Sequence, residues 1–521
     1  MPCENFEKVQ VELMKKAKEM NLSVVEDVSK IPVFSSDASL ISYPPLLVLR
    51  PENKEEAIKS VEFCLKNNVK ITVRGGGTSL TGSAVPLNSA IIDVSKLDRF
   101  EVDEEKKICV CEPGVILKEL NDYLIEYGLF FPVVPSSENA CTIGGMVSTN
   151  ASGLRAIKFG SMKDWVEEVI MINGKGEVIK CGNEICGLEG TLGLILEVKL
   201  KITEVLRERS MDLVYVKDYE SIPTIVKDLK RKGATMIEYL DRYSCERAGI
   251  EAGKKNKGCI MACFENESGS IRSEREMREI IEKREGVYPV LAHEGRFLIE
   301  DPKVDLDKIP DLLQFLENLN IPVFGHIGIG ILHPCFKIEE KNKIEKLYQF
   351  VAKTGGLVSG EHGYGLRKKK YLPKDAIEKW KILKSQHDPE NFFNPGKMGD
   401  ENIDKSMEEI ASQSYPLKEE NKCVNCGLCK LCPVFLVTKE EEIGPRARAF
   451  FGISPYYCTI CKLCEVSCPL SFKMREKVLT LRHELVKRGI EVKEIKEMIE
   501  RIRKYGNPFG KEAKEGEWYC C

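Results

Sequence analysis

Eight of the chain's 21 cysteines fall into two tight clusters near the C-terminus, and nothing else in the sequence restricts the fold as sharply. The first cluster reads Cys423-x2-Cys426-x2-Cys429-x2-Cys432-Pro433, and the second reads Cys458-x2-Cys461-x2-Cys464-x3-Cys468-Pro469. Three thiolates at successive three-residue steps wrap one iron–sulfur cube, and a fourth Cys before Pro ligates a second cube. The competing reading is a pair of structural zinc sites, because C-x2-C pairs also bind zinc tetrahedrally. Zinc ribbons separate their pairs by a longer loop and give no role to the Pro after each fourth Cys. The segment is therefore expected to form a small α-helical, ferredoxin-like domain carrying two [4Fe-4S] clusters. The second motif has the full spacing, whereas the first is one residue short before its last Cys. Cys432 is accordingly expected to be the ligand most easily displaced, and its cluster the less secure.

With 521 residues, 43% of them apolar, the chain can bury several cores, so roughly two to four domains are expected. A net charge of −3 with both signs interspersed leaves no basic stripe for nucleic acid. No apolar run reaches the ~18 residues of a membrane span, and the N-terminus lacks an apolar signal core. The cysteines outside the two clusters are scattered without regular spacing, which fits a reducing, cytoplasmic setting. The adjacent Cys520 and Cys521 read as a frayed tail.

Along the chain, residues 1–42 read as a helix and polar connector. From 43 to 205, short β-branched runs alternate with Gly-rich turns, and from 206 to 399 strands alternate with longer amphipathic helices. Both stretches point to an α+β class. A Lys/Glu-rich linker is expected at 400–421, and the cysteine-bearing domain at 422–521 ends in one charged helix from about Lys473 to Tyr505.

The loop Arg74-Gly75-Gly76-Gly77-Thr78-Ser79-Leu80-Thr81-Gly82 follows a strand. Consecutive glycines let backbone N–H groups converge on one concavity, and such a nest binds phosphate oxygens. It is neither a P-loop nor G-x-G-x-x-G with a ribose-binding acid, and a lone Gly run is more often a tight turn. Three further stretches strengthen the case: Pro135 leading to Thr142-Ile143-Gly144-Gly145, then Asn150-Ala151-Ser152-Gly153, then Glu189-Gly190-Thr191-Leu192-Gly193. Together they would surround one extended, diphosphate-bearing ligand.

Only six His are present, and three sit in two Gly-rich motifs, Gly325 to Pro334 and Ser359 to Gly365. His326 and His333 lie seven apart and would face opposite sides of a straight strand. If Gly328 and Gly330 bend the backbone, the two imidazoles and Glu361 form an open metal site of the zinc type. The alternative is that each His satisfies local hydrogen bonds at strand ends.

Across about residues 43–398 these motifs resemble those of the FAD-linked oxidases of the vanillyl-alcohol-oxidase/p-cresol-methylhydroxylase (PCMH) superfamily. Within it the glycolate oxidase D-subunit, D-lactate dehydrogenase and D-2-hydroxyglutarate dehydrogenase branch is the most similar. The resemblance implies a PCMH-type FAD-binding domain at 43–205 and an α+β substrate (cap) domain at 206–399. It implies non-covalent FAD, since no His adjoins the 74–82 loop. The flavin would be held by Arg74, Gly75, Gly76, Gly77, Thr78, Ser79, Gly82, Pro135, Thr142, Gly144, Gly145, Asn150, Ser152, Gly153, Glu189, Gly190, Thr191, Gly193 and Asn394. It further implies a divalent ion (Zn, Mn or Fe) on His326, His333 and Glu361, with His362 as base and Arg296 as the carboxylate-binding cation. The implied substrate is a small 2-hydroxyacid of the D-lactate or glycolate type. Ile329 and Ile331 stand where the family has Asp and Asn, so the substrate pocket is expected to be more apolar.

The C-terminal hundred residues resemble the iron–sulfur portions of the glycolate oxidase F-subunit, the anaerobic glycerol-3-phosphate dehydrogenase C-subunit and heterodisulfide reductase C-subunits. The fusion implies a dehydrogenase that passes electrons from flavin to clusters and on to an acceptor protein or a Cys-Cys-Gly-type subunit. The alternative is an electron-transfer subunit of a heterodisulfide-reductase-like complex with a degenerate hydroxyacid site.

Overall fold

The computed structural model describes residues 3–253, 255–295, 297–401, 423–468, 470–490, 492–508 and 510. Arg296, most of the expected linker and the Cys520-Cys521 pair lie outside them.

Strands β1 (Val48–Leu49), β2 (Lys70–Arg74) and β3 (Ser89–Asp93) form a parallel sheet in the order β1-β3-β2. The helix Lys54–Lys66 supplies the crossover between β1 and β2. Asn53 caps it by accepting from the Glu56 N–H at 2.9 Å, and Glu55 and Glu56 in the first turn favour the positive end of its dipole. Of the stretch after the N-terminal helix Cys3–Glu19, expected as a polar connector, the later part from Val33 to Ile41 is largely buried. Val33 and Phe34 are fully enclosed, and Asp37 is buried with its carboxylate on Ser39 and the Ala84 N–H.

Strands β4 (Phe100–Asp103), β5 (Ile108–Cys111), β7 (Val166–Asn173), β8 (Val178–Cys181) and β9 (Gly193–Lys201) make an antiparallel sheet ordered β4-β5-β9-β7-β8. The short pair β6 (Leu129–Phe130) and β10 (Thr203–Glu204) lies apart from it. One core lies between this sheet and the helices Leu117–Ile125 and Ile143–Thr149. A second joins Ile172, Leu194 and Leu196 of the sheet to β1–β3.

The third sheet holds β11 (Ser210–Val216), β12 (Ala234–Asp241), β13 (Gly258–Phe264), β14 (Phe297–Ile299), β15 (Val323–Gly325) and β16 (His333–Lys337), ordered β11-β13-β12-β15-β16-β14. Strand β13, next to the edge strand β11, is buried along its whole length. Ile260, Ala262 and Phe264 enter one core, while Cys259, Met261 and Cys263 enter the other, as the two-residue period of a strand requires. The chain then returns to the first sheet. Ile71 of β2 donates to the Phe392 carbonyl at 2.7 Å and accepts from the Asn394 N–H at 2.6 Å.

The single helix expected from Lys473 to Tyr505 is two helices, Met474–Lys487 and Lys493–Tyr505. Gly489 takes φ +70°, and its N–H and that of Ile490 bond the Val486 and Leu485 carbonyls, which closes the first helix.

Candidate active site

The cysteine-bearing segment packs against the glycine loop after β2. Lys430 donates to the Gly76 carbonyl at 3.1 Å and Arg446 to the Gly77 carbonyl at 3.1 Å. Both cations meet Glu441, at 2.6 Å each. Farther out, Arg50 binds Glu442 and Asp93 together, and Lys439 reaches Glu119 at 2.7 Å. Arg74 is buried beside Arg446, and its three guanidinium nitrogens have no hydrogen-bond partner among the described residues. Burial, and then Arg446, push its guanidinium down to about 10.

A cavity of about 670 Å³ runs from this loop to the histidines. At one end it is lined by Gly75, Gly76, Gly77, Thr78 and Ser79, with Pro135, Thr142, Gly144, Gly145, Ser152 and Gly153 around them. The glycines are required by space. A Cβ on Gly76 would enter the Ala140 carbonyl, one on Gly75 the Thr142 hydroxyl, and one on Gly153 the Val134 carbonyl. The loops therefore pack closely on one another, and a cradle of this size and lining fits an extended dinucleotide such as FAD. Glu189, Gly190 and Gly193 also line it.

Five residues expected to touch the flavin, Arg74, Gly82, Asn150, Thr191 and Asn394, stand behind the cavity wall instead. Asn394 donates to the Ser83 and Glu189 carbonyls at 2.9 and 2.6 Å, and Thr191 accepts from the Trp380 indole at 2.9 Å. Asn150, at φ +52°, closes the helix Ile143–Thr149 and accepts from the Lys163 N–H. The Glu189 carboxylate is committed to the Tyr364 and Gly365 N–H groups and the Ser83 hydroxyl, so it ties the first half of the chain to the 359–365 loop.

At the other end of the cavity stand His326, just past β15, His333, opening β16, and Glu361 with His362 on the 359–365 loop. The backbone does bend between the two His. A 3₁₀ turn covers Ile327–Ile329, and Gly330 sits at φ +78° with the Val304 carbonyl against it. His326 Nδ1 lies 2.7 Å from Glu238 Oε1, and His333 Nδ1 lies 3.3 Å from the Glu300 carbonyl. Each Nε2 is thereby turned toward Glu361, at 3.7 and 3.2 Å. The three donor atoms lie within 4.8 Å of one another. The longer separation exceeds a hydrogen bond but suits two ligands that each stand ~2 Å from a shared ion. Ser152 donates to Glu361 Oε2 at 2.7 Å, so this residue of the expected flavin set also orients the carboxylate.

The electrostatics favour a charged Glu361. Burial opposes that charge, but His326 and His333 outweigh it and hold the carboxyl well below the usual range. Glu238 behaves likewise under His326 and Arg284. Burial pushes the His333 imidazole down, toward the neutral form a metal ligand needs. For His362, burial is outweighed by Asp301 and Glu361, which raise it. Its Nδ1 lies 3.5 Å from Asp301 and its Nε2 3.4 Å from Glu361.

Four contributors were not foreseen from the sequence. Asp301 accepts from the N–H groups of Gly360, Glu361 and His362 at 2.7–2.9 Å and also binds Lys368, so one buried carboxylate shapes the loop. Glu238 links His326 to Arg284 at 2.5 Å. Arg284 itself lines the cavity, as does Tyr288. By contrast, Ile329 and Ile331 do not line it. Ile329 faces a separate cavity of about 650 Å³ with Lys230 and Lys303. Ile331 packs under Gly360, where an added Cβ would meet its side chain at 2.7 Å. The expected direct effect on the polarity of the substrate pocket is therefore corrected.

Cys426, Val424 and Leu428 of the first cysteine motif line the same cavity as Thr78. The turn Leu428–Leu431 packs on the helix Leu463–Val466, which brings the two motifs face to face. Cys468 acts electrostatically on Cys423 and Cys426, while Cys432 acts on Cys464 beside Cys458 and Cys461. These contacts suit one set of Cys423, Cys426 and Cys429 with Cys468, and another of Cys458, Cys461 and Cys464 with Cys432. Two sets of four thiols, each closed by the fourth Cys of the other motif, fit a pair of cubane clusters. Cys432 is buried against Ile116 and Phe435.

Residues 45–182 match the family model described as FAD binding domain, and residues 245–398 match that of the FAD linked oxidases, C-terminal domain. Neither match reaches the cysteine motifs. The chain is 28% identical over 441 residues to "D-lactate dehydrogenase" of Archaeoglobus fulgidus, covering 72% of this chain and 99% of that one. It is 28% identical to "Glycolate oxidase subunit GlcD" of Bacillus subtilis (70% and 92% covered) and 24% identical to "D-2-hydroxyglutarate dehydrogenase" of Stutzerimonas stutzeri (72% and 96% covered). Among the described residues no helix is long and apolar enough to cross a membrane.

Proposed function

Because this chain belongs to the PCMH-type superfamily of FAD-linked oxidases, we propose that it is a dehydrogenase that oxidises a small 2-hydroxyacid, of the D-lactate or glycolate type, to the 2-oxoacid. Electrons then leave through two [4Fe-4S] clusters to an acceptor protein or Cys-Cys-Gly-type subunit. The observation that carries the reading is the shared cavity: the glycine cradle, the His/Glu cluster and Cys426 all border one space.

The Gly75–Ser79 and Thr142–Gly145 loops would hold FAD, which would supply the hydride acceptor, and His326, His333 and Glu361 would hold a divalent ion, which would supply Lewis-acid polarisation of the substrate hydroxyl. The chain's own residues do the rest. Glu238 and the Glu300 carbonyl fix both imidazoles in the tautomer that leaves Nε2 free. His362 accepts the hydroxyl proton at Nε2, and Asp301 on its other side stabilises the imidazolium that forms. Arg284, at the cavity wall with Nε and Nη2 on Glu238, offers its remaining Nη1 to a substrate carboxylate. The intact donor set supports catalysis over a pure relay, which has no use for such a site.

The test is anaerobic addition of a 2-hydroxyacid panel to the purified protein, with flavin absorbance as readout. D-lactate or glycolate should bleach the flavin and give rise to reduced-cluster EPR signals. A sample that stays oxidised with every member of the panel would sink the proposal.

A further inference from the structure

Arg446 and Arg448, two residues apart on the turn that follows Ile443, are both fully buried. Their surroundings differ. Arg446 has a carboxylate partner, Glu441 at 2.6 Å, and acts electrostatically on the first motif through Cys426 and Cys429. Arg448 donates from Nη1 to the Ile443 carbonyl at 2.5 Å, and its Nη2 lies 3.4 Å from Cys432 Sγ. Its Nε has no hydrogen-bond partner, and among the described residues no carboxylate pairs with it.

A guanidinium cannot be deprotonated in a protein, and burying it without an anion is strongly unfavourable. The sulfur of Cys432 is the group in place to answer the charge. We infer that Arg448 positions Cys432 as a ligand of the cluster carried by Cys458, Cys461 and Cys464, and raises the reduction potential of that cluster. The inference rests on the iron–sulfur reading proposed above.

The physical reasons are two. Reduction adds one electron and no bond is made or broken, so the negative charge of the cluster grows by one and a buried cation beside it favours the reduced form. An N–H donor on a ligand sulfur acts in the same direction. Arg448 also faces Cys461 and Cys464 electrostatically, so its field falls on the second thiol set, while Arg446 serves the first. The arrangement further accounts for the short spacing before Cys432. The sulfur is positioned from outside its own motif, by a side chain 16 residues later.

The test is an EPR-monitored redox titration of the FAD- and cluster-loaded protein, with iron, sulfide and flavin assayed alongside. Cys461→Ser marks which signal belongs to the second thiol set. In Arg448→Met that same signal should move to lower potential by at least a tenfold change in the reduced-to-oxidised ratio, ~59 mV for one electron. The other signal and the flavin content should not change. Arg448→Lys, which keeps the charge without the fork, should shift the same signal by less. Loss of the marked cluster alone in Arg448→Met, with Arg448→Lys retaining it at a lowered potential, also supports the inference. Unchanged potentials in both variants, or a shift confined to the signal that Cys461→Ser leaves intact, would overturn it. A wild-type protein without iron–sulfur signals would overturn the underlying reading as well, and iron analysis separates that outcome from the others.

Discussion

His326 Nδ1 rests 2.7 Å from the carboxylate of Glu238, a residue 88 positions earlier in the chain that is itself fully buried. This contact turns the other ring nitrogen toward Glu361, so a residue remote in sequence aims one ligand of the site. Glu238→Gln should keep the fold, weaken the orientation and lower divalent-metal affinity by roughly 10- to 100-fold. Metal retained after dialysis against graded chelator is the measurement, and retention equal to wild type would remove Glu238 from this role.

His362→Gln separates proton transfer from metal binding. The side chain lies beside Glu361 but outside the donor set formed by His326, His333 and Glu361. Its loss should reduce the rate of substrate-driven flavin reduction by about 10²- to 10⁴-fold. Bound metal and flavin should stay at wild-type levels, and a variant that reduced flavin at the normal rate would exclude His362 as the base.

Gly76→Ala tests the cradle by space alone. The new methyl would be forced into the Ala140 carbonyl, and the loop must shift and deform the cradle to relieve it. The purified variant should carry little flavin per chain while its far-UV circular dichroism matches wild type.

The Glu441 contact predicts an acid limit on how the cysteine-bearing segment docks. Burial opposes its charge, but Arg446 and Lys430 outweigh it and hold the carboxyl at about 2, against 4.5 ordinarily. A depressed folded value stabilises the protein above pH ~4.5 and loses that contribution as pH falls toward ~2, on the order of 3 kcal/mol in all. Stability measured between pH 5 and 3 should fall more steeply for wild type than for Glu441→Gln. At neutral pH that variant should be the weaker of the two, since it leaves Lys430 and Arg446 buried without their carboxylate.

Ile329→Asn should leave the order of preference among 2-hydroxyacids unchanged, because the side chain faces the second cavity and not the one that holds the histidines. A reordered preference in kcat/KM would show that the two cavities communicate.

Much of the site was readable from short stretches of chain. The glycine loop, the His/Glu motifs and the cysteine spacings carry their chemistry within about ten residues each, so local geometry alone points to a phosphate cradle, a metal and iron–sulfur ligation. The partition of the cavity wall was not readable in this way. Arg74 and Gly75 are adjacent in sequence, yet one sits behind the wall and the other lines it. The facing of Ile329 and Ile331 depended on how a 3₁₀ turn and Gly330 rotate the backbone, which no periodicity encodes. The division of the last charged stretch into two helices, by contrast, turned on Gly489, a local signal that was there to be read.

The amino-acid sequence by itself determined which chemistries the chain can carry, because thiols at three-residue steps, consecutive glycines and paired His allow few alternatives over such short spans. Tertiary structure decided how these parts are joined. Glu238, Asp301, Glu441, Arg446 and Arg448 lie outside every such motif, and their roles come from burial: a charge taken out of water must find its partner across the fold. The same burial puts Arg448 beside Cys432, a residue 16 positions earlier. Spacing along the chain names the ligands, and packing decides which of them meet.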